Sequence, residues 1–209
     1  SGLVVDELTG TTTVSDHGIH IHDLSLQTPR SMASGTLHFL TDGWSDYNDF
    51  NQRVRMNAEL DTARLDLADI ALFAPQLQGI QFPITLSGRV RGTVADLKGR
   101  GLHLGFGTMS HFAGNAELSG LPDIANTFMV FDIARLYTTP ADLANLPVPP
   151  FTSGKHLSLP AEVHRLGILD FSGNFTGFTR AFTAYGRTTT QLGILRTDIS
   201  YERDTVHDM

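Results

Sequence analysis

Strand-like alternation punctuated by glycine, and repeated at a long interval, constrains this chain more than any other feature. From Leu166 to Tyr201 the sequence reads LGILDFSGNFTGFTRAFTAYGRTTTQLGILRTDISY, a series of short alternating strands with threonine on the polar positions. A weaker copy of its core, ITLSGRVRGTVADLKG, occupies Ile84–Gly99. Both carry Ser-Gly-x-x-x-Gly, at Ser87-Gly88 to Gly92 and at Ser172-Gly173 to Gly177, so the two first glycines lie 173 − 88 = 85 positions apart. Period-two alternation places successive side chains on opposite faces of a strand. Two copies of one β unit imply a chain that grows by adding similar modules along an axis, unlike a closed globule.

The rest of the chain extends this pattern. Leu3–Leu40 reads as hairpins, with turn signals at Thr9-Gly10 and His17-Gly18. Ile19 and Ile21 share one face and His20 and His22 the other; the phase changes at Asp23, which predicts a bulge near His22–Asp23. Leu37 and Phe39 take the inner face of the next strand. In the polar loop Thr41–Asn51 the spacing by three of Trp44, Tyr47 and Phe50 predicts a helical turn that tucks aromatics onto a sheet. Gln52–Leu60 returns to strand, with Val54, Met56, Ala58 and Leu60 inward. Further strands are predicted at Ile84–Val94, Gly101–Met109, Phe112–Leu118 and Asn126–Leu136. In these Leu86, Val90 and Val94 share a face, as do Leu102, Leu104 and Phe106, and as do Phe112, Gly114, Ala116 and Leu118. Thr127–Leu136 is more continuously apolar and predicts a strand covered on both faces.

Two segments depart from alternation. Asp66 is placed to cap a short helix near 66–74, with Asp69 at its third position and Leu67, Ile70 and Phe73 on one stripe. Thr139-Pro140-Ala141-Asp142 starts a second near 139–146, with threonine as N-cap, proline at the first helical position and aspartate in the first turn. Both are too short to be crossovers of a parallel fold and read as plugs over a sheet end. The resulting fold class is mostly β: an elongated, curved antiparallel sheet forming a repeating groove, with two short covering helices. Residues 1–150 form one β-groove segment and 151–209 a continuing module.

Composition excludes several function classes. The chain has 209 residues, no cysteine and a net charge of −7, so there is no disulfide framework and no thiolate chemistry. Its fifteen basic residues are scattered, which argues against a nucleic-acid surface. No stretch approaches the ~18–20 apolar residues of a membrane span. No signal peptide opens the sequence, and its abrupt ends read as those of a piece of a longer protein.

The chemical motifs are weak. His20 and His22 beside His17 and Asp23 have a spacing that could chelate a metal, but no second ligand pair accompanies them, and they read as solvent-face residues opposite Ile19 and Ile21. Ser110-His111 and Ser153-Gly154 lie outside any Gly-x-Ser-x-Gly context, and the carboxylates are dispersed through turns and caps. The expectation is therefore a protein with no catalytic residue, no metal site and no cofactor. The strand glycines carry the functional reading: they bend a sheet into a trough. Its candidate lining comprises Val54, Met56, Leu60, Leu86, Val90 and Val94, then Leu102, Leu104 and Phe106, and finally Leu169, Phe171, Phe175, Phe182, Leu195 and Ile199.

LDLADIALFAPQLQG, followed by LSGRVRGTVADLKGRGLHLGFG, AELSGLPDIANTF, TTPADLANL and LGILDFSGNFTGFTRAFTAYGRTTTQLGILRTDIS, resembles the TamB branch of the AsmA-like superfamily, in its Bacteroidetes-type form. The resemblance runs from about Ile19 to Ile199. It implies an internal fragment of a periplasmic rod, a β-taco whose apolar groove shields phospholipid acyl chains between the inner and outer membranes. It also implies an inner-membrane anchor and an outer-membrane barrel partner of TamA type, both engaged by regions outside this chain. A role in outer-membrane biogenesis is a further implication, with a structural module that binds protein strands during outer-membrane protein assembly or secretion as the alternative.

Overall fold

The computed structural model describes residues 4–71, 74–148, 151 and 155–202. Among these residues eleven strands form a single open sheet, and each pairs antiparallel with its neighbours in sequence. They are β1 (Glu7–Ser15), β2 (Gly18–Gln27), β3 (Met32–Leu40), β4 (Arg55–Asp66), β5 (Pro83–Gly92), β6 (Asp96–Phe106), β7 (Ser110–Ser119), β8 (Phe128–Thr138), β9 (Leu169–Phe178), β10 (Ala181–Thr190) and β11 (Gly193–Glu202). Among the described residues four short helices, α1 (Phe50–Arg53), α2 (Leu67–Ile70), α3 (Pro140–Ala144) and α4 (Ala161–His164), occupy connections at the strand ends. At about 4.8 Å per strand the sheet extends roughly 48 Å in its stacking direction.

Alternation decides which side chains share a face, and register carries that choice across the sheet. One row runs Val14, Ile19, Phe39, Met56, Gly92, Leu97, Leu118, Met129, Gly177, Phe182, Tyr201, one residue from each of the eleven strands. The opposite face carries arginines, asparagines, threonines and histidines, including Arg91 bonded to Asn57 and Arg135 paired with Asp170 at 2.7 Å. The sheet is thus apolar on one side only. Its accessible surface of 12546 Å² exceeds the about 9,500 Å² of a compact monomer of this mass.

The sheet bends along a crease. Register shifts separate the members of every pair from β1·β2 to β8·β9, and they fall on one transverse line. Glycines and large aliphatics alternate along it: Gly10, Leu24, Gly35, Leu60, Gly88, Leu102, Gly114, Ile133, Gly173. Bulges bend strands and increase their local twist, so a line of them curves the whole sheet. At Gly35, φ is +144° and an added Cβ would sit 2.1 Å from the Glu59 carbonyl oxygen. No other residue type fits there without displacing the β4 backbone.

The two predicted helix starts form as expected. Asp66 accepts from the Ala68 N–H at the start of α2, and Thr139 accepts from the Asp142 N–H at the start of α3. Trp44, Tyr47 and Phe50 lie on a 3-10 turn (Trp44–Asp49) and the start of α1, with the Phe50 ring edge-on to Phe39 at 5.5 Å. The predicted bulge falls between Ile21 and Leu24, with Asp23 at φ 52°.

Two expectations change. β8 is not covered on both faces; its residues alternate, and only Ile133 and Thr138 in it are buried. Its continuous apolar character comes from Val130 on the polar face between Met129 and Phe131. The strand predicted over Ile84–Val94 ends at Gly92, because Thr93–Ala95 make the turn into β6. The sheet runs on from the first segment into the continuing one, with Phe131 of β8 paired with Phe175 of β9. Phe73, Ser153 and His207 lie outside the described residues.

Candidate functional site: the creased apolar face

Four transverse apolar rows make up the candidate site. The first is the row from Val14 to Tyr201. The second runs Thr12, Ile21, Leu37, Ala58, Val90, Gly99, Ala116, Phe131, Phe175, Ala184, Ile199. The crease is the third. The fourth runs Leu8, Leu26, Ala33, Ala63, Leu86, Leu104, Phe112, Leu136, Phe171, Thr188, Leu195. These rows run across the strands, so together they form one apolar path along the stacking axis.

The crease glycines are covered from the neighbouring rows. The Phe171 ring lies over Gly173 and Gly186, where an added Cβ would meet it at 2.9 and 2.7 Å. Conversely, Leu102 of the crease lies over Gly99 of the second row, at 2.4 Å from the position of its missing Cβ. Small residues at the bend therefore admit large ones beside it, which keeps the face continuous. Alanines sit deepest, Ala63 fully buried and Ala58 and Ala116 nearly so. Toward β11 the face opens, with Ile199 and Tyr201 about half exposed.

A diagonal of aromatic rings crosses the second half of the face. Phe112, Phe131, Phe175, Phe182 and Tyr201 succeed one another at centroid distances of 6.2, 5.8, 4.9 and 5.2 Å. Offset rings at such spacing attract one another beyond their buried area, and the ring carbons of the four phenylalanines offer no hydrogen-bond donor.

Thirteen of the fifteen predicted lining residues stand on this side of the sheet. Met56 and Phe182 are in the first row; Val90, Phe175 and Ile199 in the second; Leu60 and Leu102 on the crease; Leu86, Leu104, Phe171 and Leu195 in the fourth. Phe106 and Leu169 lie one step further, toward the strand ends that carry α2 and α3. Val54 does not line the face: it comes directly after α1, donates its N–H to the Phe50 carbonyl and is fully buried beneath that loop. Val94 belongs to the β5–β6 turn. Period-two alternation continues past the last ladder bond, so counting alone places both residues in strands.

Phe131 and Ile133 join the face although alternation did not single them out, because a strand judged two-sided offers no inner face. Gly114 likewise acquires a role only in the folded sheet. The common feature of Gly35, Gly88, Gly114 and Gly173 is a line that exists only once the strands are in register.

Two polar clusters lie off the apolar rows. His20 and His38 are cross-strand partners on the polar face, with rings 4.5 Å apart, and His22 stands 5.1 Å from His38. The Nε2 of His38 is buried without a hydrogen-bond partner, and burial, then the charges of His20 and His22, holds its pKa below 6.5. Among the described residues no group of three or more His, Cys, Asp or Glu side chains is placed to hold a metal ion. No helix among them is long and apolar enough to cross a membrane.

The second cluster is a pair of aspartate clamps. Asp69, third residue of α2, accepts from the hydroxyls of Thr28 and Ser31 at 2.7 Å each and from Arg30 at 2.6 Å. Asp142, third residue of α3, accepts from the Thr108 N–H and hydroxyl (2.9 Å each), the Met109 N–H (3.0 Å) and the Ser110 hydroxyl (2.7 Å). In both cases the helix succeeds one strand and its carboxylate grips the turn that opens the preceding one. The molecule therefore repeats every four strands. The repeat places Gly88 on β5 in the same position as Gly173 on β9, in agreement with the 85-residue interval.

Compared with known proteins, the chain matches no family model, no curated protein and no solved structure.

Proposed function

We propose that this sheet is a segment of a periplasmic bridge in which the creased apolar face shields phospholipid acyl chains during their passage between inner and outer membranes. Such a segment serves outer-membrane biogenesis, and the proposal draws on the TamB-like character of the sequence. One observation carries it: four apolar rows run from strand to strand on the bare face of an open sheet. A chain of this size normally uses such surface to close a core.

The energetics favour an extended apolar guest. Each methylene withdrawn from water contributes about 0.8 kcal/mol. A path lined by Leu, Val, Ile, Phe and Ala with no charged side chain gives nearly uniform affinity along its length, so a chain can slide without falling into a deep trap. This function asks for no catalytic group and no cofactor. The polar outer face, with its Arg135–Asp170 and Arg100–Glu117 pairs, keeps the other side in water.

A second reading, a scaffold that binds protein strands during outer-membrane protein assembly or secretion, draws on β1 and β11, the outer strands of the sheet among the described residues. A photo-crosslinking amino acid placed at Val90 or Phe175, with mass spectrometry of the adducts formed in cells, separates the two. Phospholipid adducts at both positions support the conduit. Adducts to protein alone would sink it and favour the scaffold.

A further inference from the structure

We propose that a cleft on the polar face of the sheet, floored at Gly105, is a binding site for a neutral sugar ring. It lies on the side away from the apolar rows, so the inference does not depend on what those rows carry.

The cleft has a volume of about 260 Å³, and strand register builds it. Thr85 of β5 is the partner of Gly105 on β6, Ser87 is the partner of His103, and His111 of β7 faces Gly105 from the other side. Thr62, from the bulged stretch of β4, completes the wall. The His111 ring, stacked on Tyr137 at 5.0 Å, gives the cleft one flat side.

Gly105 is a glycine that the backbone and its rigid neighbours do not require. Of the glycines in the described strands, only Gly99, Gly105 and Gly186 have a φ outside the range that L side chains rarely adopt. Leu102 occupies the side-chain space of Gly99, and the Ser172 carbonyl and the Phe171 ring occupy that of Gly186. At Gly105 an added Cβ would closely approach only the Thr85 hydroxyl, at 2.5 Å, with the next atoms 3.8 Å away. Rotation about χ1 moves that hydroxyl aside. A strand glycine weakens its strand and marks places where a ligand or another backbone comes close. At Gly105 the space left free is the cleft.

The lining selects the class of ligand. Among the described residues the hydroxyls of Thr62, Thr85 and Ser87 and the imidazole of His103 have no hydrogen-bond partner in the protein. A nearby cavity of about 300 Å³ is different: Arg100 pairs with Glu117 and Asn115 donates to Asp132 at 3.2 Å, so its polar groups satisfy one another. Each free group of the Gly105 cleft can both donate and accept, as the hydroxyls of a sugar do. Charge does not select an ion, because Asp61 lines the cleft and Arg64 lines the adjoining cavity that shares Thr85 and Gly105. The volume falls just below the range of about 300–1,000 Å³ usual for small-molecule sites, which suits a single ring.

Methyl glycosides of glucose, galactose and mannose serve as probes, titrated onto the whole chain and followed by amide NMR shifts, with inorganic phosphate as the anionic comparison. The expected result is saturable shifts centred on Thr85, Ser87, His103 and Gly105 for at least one glycoside, with Kd on the order of 1 mM. Gly105→Ala fills the floor and weakens binding about tenfold or more while the melting temperature stays close to that of the unaltered protein. Thr85→Val keeps the branched shape, removes one hydroxyl and weakens binding about fivefold. Asn115→Ala, in the nearby cavity, leaves the affinity unchanged. Equal affinity in Gly105→Ala and Thr85→Val would overturn the proposal, as would the absence of saturable shifts in the cleft with all three glycosides. Tighter binding of phosphate at the same amides would overturn it in favour of an anion site.

Discussion

The Asp142 carboxylate accepts the Ser110 hydroxyl at 2.7 Å across 32 residues of sequence, and both residues are almost completely buried. It joins the start of β7 to the helix after β8, so one side chain ties two hairpins of the sheet. Asp142→Ala leaves two backbone N–H groups and two hydroxyls without their acceptor. The expected loss is about 3 kcal/mol of unfolding free energy in urea titration. Asp142→Asn, which keeps one acceptor oxygen, falls between.

Acid titration is governed by the same contacts. Burial pushes the Asp142 carboxyl up, but the Thr108 N–H, Ser110 hydroxyl, Met109 N–H and Thr108 hydroxyl outweigh it and bring its pKa to about 2. Burial also opposes the shift at Asp69, where Arg30, Ser31 and Thr28 prevail and lower the pKa. A folded pKa below the unfolded value means that the contribution is complete above about pH 4 and is lost as pH falls toward 2. Asp142→Asn should flatten the stability curve in that window, measured by thermal melts across the acid range.

His38 gives a separate, milder window. Its folded pKa lies below 6.5, so the unfolded chain binds the extra proton first and stability declines as pH falls below 6.5. His38→Asn removes this decline while leaving the acid transition of the aspartates. Two-dimensional NMR of the imidazole resonances checks the cause: the His38 midpoint should fall below 6.5 in the folded protein.

The crease predicts unequal costs for equal substitutions. Gly35→Ala meets the Glu59 carbonyl at 2.1 Å and adopts φ +144°, for an expected loss of about 1–3 kcal/mol. Gly101→Ala, at φ +58° with nothing within 4 Å, carries only the left-handed penalty of about 1 kcal/mol. Urea midpoints of the two variants should rank in that order. Equal values would mean that β3 and β4 separate easily at the crease.

Opposite faces of β9 and β10 supply the binding control. Phe175 packs against Phe131 and Phe182, whereas Tyr185 stands on the polar side opposite Asn174. A fluorescent acyl-chain probe should lose affinity by about tenfold or more in Phe175→Asp, because a buried charge then interrupts the apolar path. Tyr185→Asp should leave it unchanged. Loss in both variants would place the probe elsewhere.

Local chemistry in the sequence determined much of this molecule. Alternation assigned the faces of Met56, Val90 and Phe175; Asp66 and Thr139 announced α2 and α3 through their capping side chains; and Asp23 marked a bulge. These are short-range effects, legible because a side chain and its own backbone settle them. Tertiary structure decided what depends on register. Val54 and Val94 keep the strand period yet lie beyond the last ladder bond, and Phe131 gained its face only when β8 paired with β7 and β9. The aspartates Asp69 and Asp142 were visible as first-turn acids, but their grip on turns 38 and 32 residues away was not. The crease is the clearest case. Each glycine permits a bend at its own position, and only the nine strands from β1 to β9 in register place those bends on one line.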